Sequence, residues 1–151
     1  MQNLIRHFYY GNEEKAILPA RREAFTALSE WLSSIAEELN LVPRLRKQLL
    51  IACDEIFTNI CSYAYEKEGT VTVSAAYHVL PQKLEIVFSD NGVAFDPLAQ
   101  PEADVKARVV NGQCGGLGLF MVKKMMDSVE YKRENNSNIL ILTKKVESSA
   151  G

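Results

Sequence analysis

Cysteine and histidine are scarce in this sequence, and their scarcity closes several routes to function. The three cysteines, Cys53, Cys61 and Cys114, form an odd set without CxxC spacing. Cys53 and Cys61 would lie about 12 Å apart along a helix rising about 1.5 Å per residue. Neither a disulfide framework nor a zinc site follows. The two histidines, His7 and His78, sit in no motif. A histidine-ligated metal site or a Ser-His-Asp triad is therefore unsupported, and both read as structural or surface residues. Long apolar runs are missing too: nothing approaches the roughly 18 residues of a membrane span, and Met1 to His7 has no apolar signal-peptide core. A cytoplasmic location and no membrane partner are expected. Nor is there an excess of positive charge. With 17 basic against 19 acidic residues, the chain lacks the basic face that neutralises a nucleic-acid backbone. Phosphate held by backbone amides stays open.

What is present is apolar in bulk and periodic in places. Hydrophobic residues make up 47% of the 151, and a chain of this size buries roughly 70% of the surface its unfolded form exposes. One globular domain over residues 1–151 is expected, with no repeat, linker or low-complexity segment. Leu4 to Tyr10 suits a short strand before Gly11. From Arg22 to Leu39, the set Phe25, Leu28, Leu32, Ile35, Ala36 and Leu39 recurs at helical spacing, and Asn40 can end that helix. A second helix begins after Pro43, with Leu45, Leu49, Ala52, Cys53, Ile56, Ile60 and Ala64 as its buried stripe, and stops near Tyr65 to Gly69. The period then changes to two. Thr70 to Tyr77 and Leu84 to Phe88 read as a hairpin turning at Pro81-Gln82. A lid over about residues 91–115 follows, then a helix from Leu119 to Asp127 with Leu119, Val122 and Met126 on one face. Strands at Val129 to Arg133 and Ile139 to Lys145 flank the Glu134 to Ser137 turn, and residues 147–151 read as a frayed tail. This order fits an α+β fold: a mixed, mostly antiparallel sheet with helices on one face.

Three polar clusters interrupt the apolar pattern. In the second helix Glu55 and Asn59 are four apart and stack at the edge of the stripe. A carboxylate and an amide oxygen so placed can serve as a base and a hard-cation ligand, and equally as a solvated polar pair. Ser89-Asp90-Asn91-Gly92 leaves a strand in an ordinary turn sequence. An aspartate held at the sheet end there can also accept a hydrogen bond from an exocyclic amine. Gly115-Gly116-Leu117-Gly118-Leu119 runs straight into a helix. Its glycines let an anion approach the free amides of the helix start, or serve as a plain hinge. No Gly-Lys-Ser/Thr follows, so it is not a Walker loop.

Taken together and in order, Glu55-x-x-x-Asn59, Asp90-x-Gly92-x-x-Phe95-Asp96-Pro97 and Gly115-Gly116-Leu117-Gly118-Leu119, followed by Asp127 and by Asn138-Ile139-Leu140 before Thr143-Lys144, carry a resemblance. Over about Arg22 to Lys145 the chain resembles the single-domain branch of the GHKL ATPases, which holds the anti-sigma factors and serine-protein kinases of bacterial partner-switching systems. The resemblance implies a two-layer α/β sandwich of the Bergerat type with an ATP lid. It implies that Asn59 ligates Mg²⁺ on the ATP phosphates, that Glu55 is the general base for an incoming serine hydroxyl, and that Asp90 bonds the adenine amine, with Gly92 letting the base lie close. Gly116, Leu117 and Gly118 would supply the phosphate-binding loop. The implied activity is a protein serine kinase that phosphorylates a STAS-type anti-anti-sigma protein and sequesters a sigma factor or similar target, with a homodimer as a further expectation. The alternative is an ATP/ADP-binding module that switches partners without phosphoryl transfer. Three positions depart from the family pattern: Tyr63 stands where many relatives carry a histidine, Ala94 replaces a glycine, and Cys114 takes a place where many have a basic residue. None removes the base or the metal ligand.

Overall fold

The computed structural model describes residues 6–10, 13–63, 69–78, 82–99 and 117–146, with 6–10 and the ends at 63, 99 and 117–118 described as backbone alone. The strands are β1 (Arg6–Tyr10), β2 (Glu13–Pro19), β3 (Thr70–His78), β4 (Lys83–Asp90), β5 (Ser128–Glu134) and β6 (Ser137–Lys145). The helices are α1 (Phe25–Glu38), α2 (Pro43–Tyr63) and α3 (Leu117–Met125). One sheet runs in the order β1-β2-β3-β4-β6-β5. The expected mostly antiparallel sheet is antiparallel in all five of its described pairings.

Strand β2 is the element that periodicity alone did not mark. Its first three residues, Glu13-Glu14-Lys15, are charged and it ends at Pro19, so only Ala16 and Leu18 carry the inward alternation. It becomes a strand because β1 and β3 flank it and pair all seven of its residues between them. Residues 100–115 of the expected lid, the turn residue Pro81, Ala64 and the expected tail lie outside the described residues.

Helix boundaries follow from local chemistry. Pro43 opens α2 at the position where a missing N–H costs nothing. At the end of α1, Asn40 takes φ 55°, its amide donates to Glu37 O, and Leu41 N donates to Ala36 O at 2.9 Å. That paired closure consumes two orphan carbonyls, and the buried Leu41 fastens it. Helix α2 lies between α1 and α3. It is therefore buried over a wider arc than a two-layer stripe requires: Phe57, on the flank of the expected stripe, is fully buried, with its ring 6.3 Å from that of Phe25 on α1.

The sheet's helix-facing rows fix the site. One row, Ala16, Val73, Phe88, Leu140 and Tyr131, is mostly apolar. The next row toward the sheet end is Leu18, Val71, Asp90, Asn138 and Arg133. The inward pattern thus turns polar where β4 finishes and β6 begins, and Asp90 and Asn138, both buried, face each other in direct register.

Candidate functional site

A cleft of about 390 Å³, counting its open mouth, lies between α2 and this polar end of the sheet. Its walls are Ile56, Ile60, Phe88, Phe95, Pro97 and Leu140, and polar atoms enter from Asn59, Asp90, Tyr131 and Asn138. Flat apolar walls with a few convergent polar groups are the general form of a small-molecule site. Asn59 and Asp90 come from different elements and line this one cleft. Glu55 stands one turn earlier on α2, half-buried, and is not among the cleft's lining residues. Leu117 and Gly118 form the first turn of α3, whose leading amides have no partner within the helix. Gly116 lies outside the described residues, as do Gly115 and Cys114.

Asp90 is held by a local network. Its Oδ1 accepts from the Gly92 amide at 2.9 Å, closing an Asx turn, and from Asn138 Nδ2 at 3.0 Å. Gly92 is itself buried. The β5–β6 hairpin then pins the loop after β4 from its other side. Arg133 donates to Gly92 O at 2.8 Å, Ser137 Oγ donates to Asn91 Oδ1 at 2.7 Å, and Asn138 donates to Val93 O at 2.8 Å. Among the described non-glycine residues only Asn40, Asn135 and Asn136 have positive φ. Ala94, which is exposed, is therefore outside the left-handed backbone region that would call for glycine. Asp96 Oδ1 accepts from Leu98 N at 2.8 Å and starts the short 3-10 turn Pro97–Ala99.

Asn138 enters the sequence reading only as part of the motif string that carries the resemblance, with no role given to it, and Tyr131 is not singled out. One signal was available: in β6 the inward positions are 138, 140 and 142, and a buried asparagine where leucines follow breaks the alternation. Tyr131 carried no such mark, because half-buried aromatics are common on edge strands. Among the described residues neither thiol, Cys53 or Cys61, is part of the cleft lining. Burial pushes Cys53 up to about 12, with Asp54 adding to the rise. Burial also raises Cys61 to about 11, opposed by Arg22 and helped by Glu23. Both are free thiols held in their neutral form.

An antiparallel sheet under three helices, with an aspartate-glycine turn and a helical asparagine on one slot, defines a nucleotide-binding α/β sandwich. The chain belongs to the histidine kinase-like ATPase domain family, which it matches over residues 18–144. It is 32% identical over 131 residues to the serine-protein kinase RsbW of Halalkalibacterium halodurans, covering 84% of this chain and 79% of that one. Against the serine-protein kinase RsbW of Listeria innocua it is 32% identical over 135 residues, 85% of this chain and 84% of that one. Against the serine/threonine-protein kinase BtrW of Bordetella bronchiseptica it is 28% identical over 113 residues, 75% and 80% of the two chains.

Proposed function

We propose that this chain is an ATP-dependent protein serine kinase acting on a STAS-type anti-anti-sigma partner, and that it sequesters a sigma factor or similar target when that partner is phosphorylated. The observation that carries the reading is the convergence of Asp90 and Asn59 on one apolar slot. The names of the relatives, serine-protein kinases that cover most of the chain, supply the reaction class. Asp90 offers an acceptor to the adenine amine while Phe88, Phe95 and Leu140 exclude water from the ring faces. The glycine-rich approach to α3, Gly116 to Gly118, would leave amides free for the phosphates, where the helix dipole favours negative charge.

The donor set fits Mg²⁺ that arrives with the nucleotide. Among the described residues no group of three or more His, Cys, Asp or Glu side chains could hold a metal, and so those residues make no cage of their own. Asn59 contributes one amide oxygen beside the place the phosphates would take, in keeping with a cation that retains waters and phosphate oxygens as its other ligands. When bound, Mg²⁺ would neutralise charge on the transferring phosphoryl group. The rest falls to this chain's residues. Asn59 and the α3 amides align the phosphates, and Glu55, on the same side of α2, accepts the proton of the incoming serine hydroxyl. Most of the rate then comes from positioning. None of the helices among the described residues is long and apolar enough to cross a membrane, and a cytoplasmic site of action goes with the proposal. A homodimer is part of the same expectation.

Calorimetric titration with ATP and Mg²⁺ tests the metal assignment. Asn59→Ala is expected to weaken ATP-Mg²⁺ by tenfold or more while leaving metal-free ATP binding nearly unchanged. Equal affinity for ATP-Mg²⁺ in the two proteins would remove Asn59 from the site.

A further inference from the structure

Asn138 uses its full hydrogen-bonding capacity on groups that cannot exchange roles. Its Oδ1 accepts from the Phe95 amide at 3.2 Å and from the Tyr131 hydroxyl at 2.6 Å. Its Nδ2 donates to Val93 O at 2.8 Å and to Asp90 Oδ1 at 3.0 Å. A backbone N–H only donates and a carbonyl only accepts, so Phe95 and Val93 fix which way round the amide sits. The second Nδ2 proton then has one destination, Asp90 Oδ1, which the Gly92 amide already occupies from another direction. Among the described residues both hydrogen bonds to the Asp90 side chain end on this oxygen, and Oδ2 is left as the acceptor for a ligand in the cleft.

We infer that Asn138, held by Tyr131, is a positioning residue that sets purine selectivity by fixing the rotation of the Asp90 carboxyl group. The inference rests on the reading of the cleft as the ATP site and adds to it the source of discrimination. A fixed Oδ2 meets an exocyclic amine with a hydrogen bond and meets a ring carbonyl with lone-pair repulsion. A carboxyl group free to turn would hold the amine less firmly and could swing away from a carbonyl, and so would choose less sharply. The Asn138–Asp90 link at the centre of the network is buried, so water substitutes poorly there for a lost partner.

The test compares ATP with inosine triphosphate, whose ring has a carbonyl in place of the amine and an N1–H donor in place of adenine's N1 acceptor. Affinities of both, with Mg²⁺, are measured by calorimetry on the full chain for wild type, Tyr131→Phe, Asn138→Ala and Asp90→Asn. Wild type is expected to prefer ATP by about tenfold or more, the scale of one well-formed hydrogen bond. Asn138→Ala should shrink that preference at least about fivefold. Tyr131→Phe, which keeps the ring and removes only the hydroxyl, should shrink it at least about twofold. If Asn138→Ala fails to fold, Tyr131→Phe decides alone. Parallel losses for both nucleotides with the ratio intact would mark the network as merely structural and overturn the inference. Failure of the underlying reading looks different: Asp90→Asn would then retain the wild-type preference. Loss of preference in Asp90→Asn, with both network variants still selective, would leave the ATP site standing and remove only the role of Asn138.

Discussion

Asp90 and Asn138 are the two buried polar side chains among the described residues, and each answers for the other. A buried amide or carboxyl group without partners costs on the order of 1–3 kcal/mol. Here every donor and acceptor of Asn138 is matched, and the one oxygen kept out of the network belongs to Asp90, where a ligand is expected. Cys53 shows the same economics for a thiol. Its ordinary value of 9.0 rises to about 12, first through burial and then through Asp54. The folded value is the higher one, so the stabilisation this thiol gives is fully present below pH 9 and is lost as pH climbs toward 12. Across that window wild type should lose stability with a slope from this group approaching about 1.4 kcal/mol per pH unit. Cys53→Ala, starting from a lower stability, should follow a shallower curve in urea unfolding. Equal slopes would contradict the assignment.

Among the elements, the β5–β6 hairpin positions the site although it stands at the sheet edge. Its two-residue turn puts Asn135 at φ 52° and Asn136 at φ 60°, the backbone whose twist matches paired strands and which asparagine and glycine tolerate best. Register follows from that turn, and register is what sets Asn138 beside Asp90. Asn136→Ala is expected to cost about 1 kcal/mol, the left-handed penalty for an ordinary residue, with the urea m-value unchanged; Asn136→Gly should cost nothing or stabilise. Both helices with strong periodicity, the β3–β4 hairpin and this turn were legible from the sequence, because each rests on local chemistry: Pro43, Asn40, the period-two alternation and the asparagine pair. Strand β2 was not, because all seven of its residues pair with β3, which lies far beyond any local window. Phe57 was missed for the same reason, since its burial depends on α1 and α3 closing over both sides of α2.

For the molecule as a whole, the near balance of 17 basic and 19 acidic residues acquires a definite meaning. No lysine or arginine lines the cleft among the described residues, so a triphosphate there depends on the start of α3 and on the cation that Asn59 would share. Binding should therefore stabilise the fold by linkage. At 100 times its dissociation constant ATP-Mg²⁺ adds about 2.7 kcal/mol, which for a domain of this size raises Tm by roughly 5–10 °C. Thermal scans of Asp90→Asn under the same conditions should show little of that rise. The ordered motifs pointed to the proposed nucleotide site in the sequence, whereas the network proposed to set its selectivity was not legible there, because Tyr131, Asn138 and the Val93–Phe95 backbone meet only through strand register. The central claim of the proposed function is phosphoryl transfer itself. Incubation of the chain with ATP, Mg²⁺ and a STAS-type partner, followed by mass spectrometry of the partner, measures it directly. Phosphoserine with wild type and none with a Glu55→Gln protein that still binds ATP is the expected result. Tight ATP binding by wild type with no phosphoserine on any such partner would contradict it.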